Sequence, residues 1–276
     1  MQRPLIVDVA SALLLTFVWS FAASTIFLLP PVGGAALVLL FGAIFAARYL
    51  RPGSDPLQIE RCARSRARPL GAQWPWAIGS AVAASVFLLG LVSILSHLAP
   101  PAPELDPTIA DFLKKPLAML PLLLADAVVD PLVQEVAFRG WIQGRLSREF
   151  GPEVAIVSAA GLFSAVFGVV HLGAWNIPPL FLLGLASGYT VYLTRSVWSG
   201  VMMNAAFSLG VDLIDPPTVD GSRLEGFSAG PDGLCNVILV MLAAAIAAIL
   251  VWHRQRIVRD RIAAAAPPAG EGPGAD

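Results

Sequence analysis

The chain has 276 residues, 57% of them hydrophobic and only 13% charged, with a formal net charge of −1. Soluble domains carry about 25% charged residues, so this balance, with a mean hydropathy of +0.73, excludes an ordinary soluble fold. The near-neutral charge offers no footprint for nucleic acid.

A bilayer span needs about 20 mostly apolar residues. Taken in chain order, the candidate spans are 5–28, 31–50, 74–99, 116–138, 154–171, 177–194, 197–214 and 233–252. The first could mimic a signal peptide, but it is long and carries Asp8, so it reads as a retained span. Pro30-Pro31, Pro100-Pro101 and Pro178-Pro179 punctuate the joins, where the missing N–H and the fixed φ break helices. Basic residues set the orientation. The segment RYLRPGSDPLQIERCARSRARP, a loop holding Arg139, Arg145 and Arg148, the turn at Arg195 and HRQRIVRDR are placed inside. PAPELDP and DPPTVDGSRLEG lean acidic and face outward, with Lys114-Lys115 as the local exception. The two cysteines, Cys62 and Cys235, then fall on opposite sides of the membrane, and no cysteine-rich metal spacing is present. The tail AAAAPPAGEGPGAD is low-complexity and expected to be disordered. The fold expected is an all-α polytopic membrane helix bundle of about eight transmembrane helices, both termini cytoplasmic, with no soluble catalytic domain.

One stretch does not fit a passive span. DPLVQEVAFRGWIQ, residues 130–143, sets Asp130, Gln134, Glu135 and Arg139 within ten residues. A charge at the bilayer centre costs about 2.5–3.5 kcal/mol on insertion scales, so an intramembrane ionisable group points to a functional site. Two further polar positions follow on neighbouring spans: His171 closing FSAVFGVVH, and Asn204 with Ser208 in SVWSGVMMNAAFS. Glu135 and Arg139 are four residues apart with the glutamate N-terminal, the favourable order for a helical ion pair. Rise per residue puts Glu135 and His171 at similar heights inside the membrane and Asn204 about 14 Å from its own cytoplasmic turn, so a carboxylate, an imidazole and an amide are able to converge. Plainer readings stand beside this one. Glu135–Arg139 is equally an ion pair that pins helices, His171 an interfacial histidine, and Asn204 with Ser208 interhelical glue. His97 and His253 sit at span ends and read as interfacial.

The ordered set QEVAFRG (134–140), FGVVH (167–171), FLLGLASGYTVYLTRSVW (181–198) and VMMNAAFS (201–208) resembles the CPBP family of intramembrane proteases, which includes the CAAX-processing endopeptidases and the bacteriocin self-immunity proteins. The resemblance covers about residues 115–215. It divides the chain into an N-terminal three-span region (1–110), a protease-like core (111–215), a last span (216–255) and a tail (256–276). It implies an active site sunk in the membrane, built from a Glu-Glu pair, two histidines and an Asn or Asp. A glutamate would activate water, and the histidines would bind a metal or position that water. Carried onto this chain, catalytic roles fall on Glu135, Arg139 and His171, with His171 as metal ligand. Substrate or oxyanion contacts fall on Gln134, Asn204, Ser208 and Asp130.

Three positions depart from the pattern: Gln134 stands where the family has its first glutamate, Asn204 where it has its second histidine, and Ser208 at its last polar position. An amide is no general base near neutral pH, and catalytic zinc takes three protein ligands from His, Cys and carboxylate. Asp130 lies one turn before Gln134 and is able to supply a carboxylate there, while Glu135 is able to take over as base. The resemblance therefore implies an endopeptidase acting on a membrane-associated protein or peptide in a bacterial cytoplasmic membrane, with zinc or another divalent metal as the cofactor in question. The alternative is a relative that binds such a peptide without cutting it. A small transporter ranks third, because no inverted repeat is visible.

Overall fold

The computed structural model describes residues 5–24, 30–51, 63, 65–96, 121, 123–168, 176–214 and, near the C-terminus, 241–242, 244–249, 251–252, 254–255 and 258. Among them the chain is all-helical. Helix α1 is Leu5–Ser24, α2 is Pro31–Tyr49, and α3 is Trp74–Ser96 after a short 3₁₀ turn, Gly71–Gln73. A long helical run follows: a π-helical segment Ala125–Val129, then α4, Asp130–Glu135, a second π segment, Val136–Ile142, and α5, Gln143–Phe150. Helices α6 (Pro152–Phe167), α7 (Ile177–Thr194) and α8 (Val197–Ile214) follow. Three stretches, Val32–Tyr49, Gly71–Val92 and Ile177–Thr194, are long and apolar enough to cross a membrane. Leu5–Trp19, Pro152–Phe167 and Val197–Val211 are shorter apolar helices.

Pro131 gives the first π segment a physical cause. Proline lacks an N–H and its ring crowds the preceding turn. The helix widens just before it, with the Asp130 N–H bonded to the Ala125 carbonyl five residues back. The second π segment ends likewise, the Gln143 N–H reaching the Phe138 carbonyl; no residue within it accounts for the widening. The run was expected to project past the lipid and turn back near Gly151-Pro152, and it is helical to Phe150; Arg139, expected in an inside loop with Arg145 and Arg148, is instead fully buried within it. The break comes at Gly151, whose φ of 84° suits glycine and whose successor Pro152 fits the first turn of α6.

The bundle is apolar outside as well as inside. Val32, Leu39, Leu40 and Ile44 on α2 and Ile78 and Val82 on α3 are exposed, the pattern of helices facing lipid. Inside, an aromatic stack climbs α2. Trp19 stacks on Phe41 at 4.5 Å, Phe41 on Phe45 at 6.3 Å, Phe45 meets Tyr49 at 4.9 Å, and Tyr49 meets Trp141 edge-on at 5.6 Å. The stack follows one face of α2 because residues 41, 45 and 49 are one helical turn apart. It joins α1 and α2 to the polar run. Helix α8 packs along α3 and α7, and α7 packs along α6. The α6–α7 contact is close because Gly184 meets Ala160: a Cβ on Gly184 would stand 2.9 Å from the Ala160 Cα. Small residues at such a seam let backbones approach and strengthen dispersion contacts.

Candidate active site

The polar residues of the long run form a ladder on one face. Glu135, Arg139 and Gln143 are spaced by four residues, and all three are at most 1% exposed. They meet a stripe of small residues on α7, Gly184, Ser187 and Gly188. The Arg139 Nε donates to the Ser187 hydroxyl at 2.7 Å, and that hydroxyl donates in turn to the Glu135 Oε1 at 3.3 Å. The Arg139 Nε lies 3.5 Å from the Glu135 Oε2. One turn on, the Gln143 side-chain amide donates to the Gly188 carbonyl at 2.9 Å. The Arg139 guanidinium also lies over the Phe163 ring at 5.2 Å, a cation–π contact that offsets part of its burial. Phe163 belongs to a cluster with Phe138 and Phe167, with ring centroids 4.9–6.0 Å apart.

Within this ladder four buried polar atoms have no hydrogen-bond partner among the described residues: the Glu135 Oε2, both terminal nitrogens of Arg139 and the Gln143 Oε1. Such atoms are rare in folded proteins and concentrate where function or internal water occupies the site. The Glu135 carboxylate presses against Gly200 at the start of α8. A Cβ there would come within 2.9 Å of the Glu135 Cδ and closer still to Oε2. Glycine at 200 is therefore what admits the carboxylate. Next to it, the Asn204 Nδ2 donates to the Gln134 Oε1 at 2.8 Å, joining α8 to α4 by an amide pair. Each amide retains one donor or acceptor set for another partner.

The structure thus brings Gln134, Glu135, Arg139 and Asn204 together from α4, the second π segment and α8. Ser208 is half-buried one turn beyond Asn204 and takes no part in these hydrogen bonds. Asp130 turns the other way, accepting a hydrogen bond from the Trp19 indole of α1, so its carboxylate is engaged away from Gln134. His171 lies outside the described residues, as do His97, His253, Cys62 and Cys235. Sequence reasoning missed Ser187, Gly200 and Gln143. The signal was the spacing Gly184–Ser187–Gly188 within a span: a hydroxyl flanked by glycines is a place where a neighbouring helix comes close enough to hydrogen-bond.

The donor set is informative about a metal. No group of three or more His, Cys, Asp or Glu able to hold an ion occurs among the described residues. Around Glu135 the neighbours are two carboxamides, a hydroxyl and a guanidinium. A cation would meet the Arg139 charge and only one carboxylate, short of the three-ligand set that catalytic zinc takes. These described residues do not fit a metal by themselves.

No curated protein and no solved structure matches the chain. Residues 116–210 match the family model described as type II CAAX prenyl endopeptidase Rce1-like. The match encloses every member of the cluster just described: Gln134, Glu135, Arg139, Gln143, Ser187, Gly200 and Asn204. Over this segment, about a third of its length, the chain is similar to the Rce1-like type II CAAX prenyl endopeptidases.

Proposed function

We propose that the chain is an intramembrane endopeptidase that cleaves a peptide bond in a membrane-associated protein or peptide, with Glu135 as general base. The observation that carries this reading is a buried carboxylate held by Ser187 at one oxygen, with the other, Oε2, free to accept a hydrogen bond. Water bound at Oε2 would be oriented by a group whose own position is fixed by Ser187 and Arg139. As the water oxygen attacks the scissile carbonyl carbon, its proton passes to Oε2. The tetrahedral oxyanion would be stabilised by amide donors of Asn204 and Gln134, which pair with each other next to the carboxylate. Collapse breaks the C–N bond, and the proton on Glu135 moves to the leaving nitrogen, giving a carboxylic acid and an amine, between which the acid's proton passes to leave carboxylate and ammonium. Arg139, whose Nε lies 3.5 Å from the Glu135 Oε2, supplies the opposite charge that a carboxylate at this depth needs. His171 is assigned a supporting role at the same carbonyl, and a divalent metal there would have to draw ligands from outside the described cluster.

The amide pair favours a second reading. Gln134 and Asn204 hydrogen-bond each other at 2.8 Å, and neither moves a proton. A site lined this way is suited to hold a peptide group without hydrolysing it. The deciding experiment is a cleavage assay on a membrane-anchored reporter peptide library read by mass spectrometry. Wild-type protein is compared with Glu135→Gln and with the double substitution Gln134→Glu plus Asn204→His. The enzyme reading expects wild-type turnover that falls by at least about 100-fold in Glu135→Gln, the lower range of general-base effects. Turnover appearing only in the double substitution would favour the binding protein.

A further inference from the structure

Away from the polar cluster, several arginines gather at one end of the bundle. Residues 65–70 cross the end of the long helical run there. Arg66 adopts the left-handed backbone region, with φ 52°, which non-glycine residues enter rarely. Its carbonyl accepts the Val197 N–H at 2.9 Å and the Arg68 N–H at 2.8 Å. The Arg68 carbonyl in turn accepts the Ser196 hydroxyl. The segment is thus tied to the start of α8. It is seated equally closely on the long run: a Cβ on Gly140 would stand 3.0 Å from the Ser65 Cα, and one on Gly144 3.4 Å from the Arg66 Nε. The Arg66 guanidinium therefore lies along the face of α5 at Gly144, and Arg148 is one turn further on that same face. Arg66 is half-buried, whereas Arg68 and Arg148 are exposed.

Among the described residues, like charges are here held together without a counter-charge. Burial and the neighbouring Arg148 and Arg68 cations push Arg66 below its ordinary range. Glu149, next to Arg148 in sequence, is bonded to Arg145 at 2.7 Å. Among the described residues none is paired with Arg66, Arg68 or Arg148. A backbone that spends a left-handed turn to bring cations together, and leaves them unpaired, is organised for an anion from outside the chain. The surroundings say where that anion comes from. Phe150 at the end of α5 and Val154 and Val157 in the first turns of α6, a short way along the chain from Arg148, are 52–56% exposed. Apolar side chains facing outward next to the arginines mark the edge of the hydrocarbon, the level at which lipid phosphates lie.

We propose that Arg66, Arg68 and Arg148 form a binding site for the phosphodiester of an anionic lipid headgroup, set between residues 65–70 and the end of α5. The guanidinium of Arg66, with its forked donors, suits bidentate contact to phosphate oxygens, and basic pockets between spans are a recurrent way to hold anionic headgroups. The seat spans the run that carries Glu135 and the start of α8 that carries Gly200, so an occupied site would brace two elements of the polar cluster. The site itself does not depend on whether that cluster hydrolyses peptides.

The test uses the full chain in phosphatidylcholine nanodiscs carrying spin-labelled phosphatidylglycerol, with spin-labelled phosphatidylcholine as reference. The reading is the immobilised fraction of each lipid. Wild type is expected to prefer phosphatidylglycerol, and Arg66→Gln and Arg148→Gln each to lower that preference about fivefold. Arg48→Gln, an equal charge change on the exposed end of α2, is expected to leave it intact. Arg148 is exposed, so its variant decides the matter should Arg66→Gln fail to fold. Unchanged preference in Arg148→Gln, or an equal fall in Arg48→Gln, would overturn the site in favour of general surface attraction. Displacement of the lipid by millimolar inorganic phosphate would likewise overturn it, by making a soluble anion the ligand.

Discussion

Glu135 and Arg139 show how a charged pair survives in a bundle. Each is at most 1% exposed, and neither charge is tolerable without the other. Arg139→Met is expected to destabilise the protein by about 3–5 kcal/mol, because it leaves a bare buried carboxylate. Pairing it with Glu135→Gln is expected to recover a large part of that loss. Steric-trapping or thermal unfolding in detergent measures both, and a double substitution no better than Arg139→Met would show that the pair is not the source of the cost. Ser187→Ala removes an acceptor for Arg139 and a donor to Glu135, a change worth about 1–3 kcal/mol. If Glu135 is the base, the same variant lowers turnover at unchanged KM. Lipid made this chemistry legible in the sequence: Glu135 and Arg139 stand out against an apolar run, and Asn204 is a polar break in another. Ser187 did not stand out, since serine in a span commonly satisfies itself on its own helix, as Thr190 does on the Ala186 carbonyl.

At the scale of elements, the seam of small residues on α7 decides how near the polar ladder comes. Gly184→Ala would set a methyl 2.9 Å from the Ala160 backbone and 3.3 Å from the Arg139 Nη2. Neither helix yields cheaply, so a loss of about 1–3 kcal/mol is expected, seen as a lower midpoint of unfolding. An unchanged midpoint would mean that α6 and α7 slide apart freely. The helix boundaries at Pro31, Ile177 and Ile214 follow directly from proline pairs and hydropathy. The π segments do not. They change how many residues fill a turn while leaving hydropathy untouched, and only Pro131 hints at the first. Asp130 addresses α1 while Glu135 addresses α7 and α8, a division that five residues of ordinary α-helix, about 140° of rotation, already give; the π segments lie on either side of that stretch.

For the whole molecule, the basic segments expected on one side do meet: Arg66 packs on α5, and Arg254 donates to the Leu193 carbonyl at the end of α7 at 3.1 Å. The orientation predicts that a membrane-impermeant thiol reagent reaches Cys235 in intact cells but Cys62 only after permeabilisation; the reverse pattern would invert the topology. Contacts across long sequence separations were the least legible part of the fold. Trp19 and Asp130 are 111 positions apart, and nothing in either stretch names the other. That bond bears on how the chain could be cut or recombined. The segment that matches the family model begins at residue 116, well after α1, yet its Asp130 is satisfied by an indole from α1. An excised 116–210 piece would turn that carboxyl bare toward hydrocarbon and lose the aromatic stack that α2 lends to Trp141. The matched segment is in this sense no portable cassette: its buried polar groups are completed by a scaffold whose sequence the family model does not match.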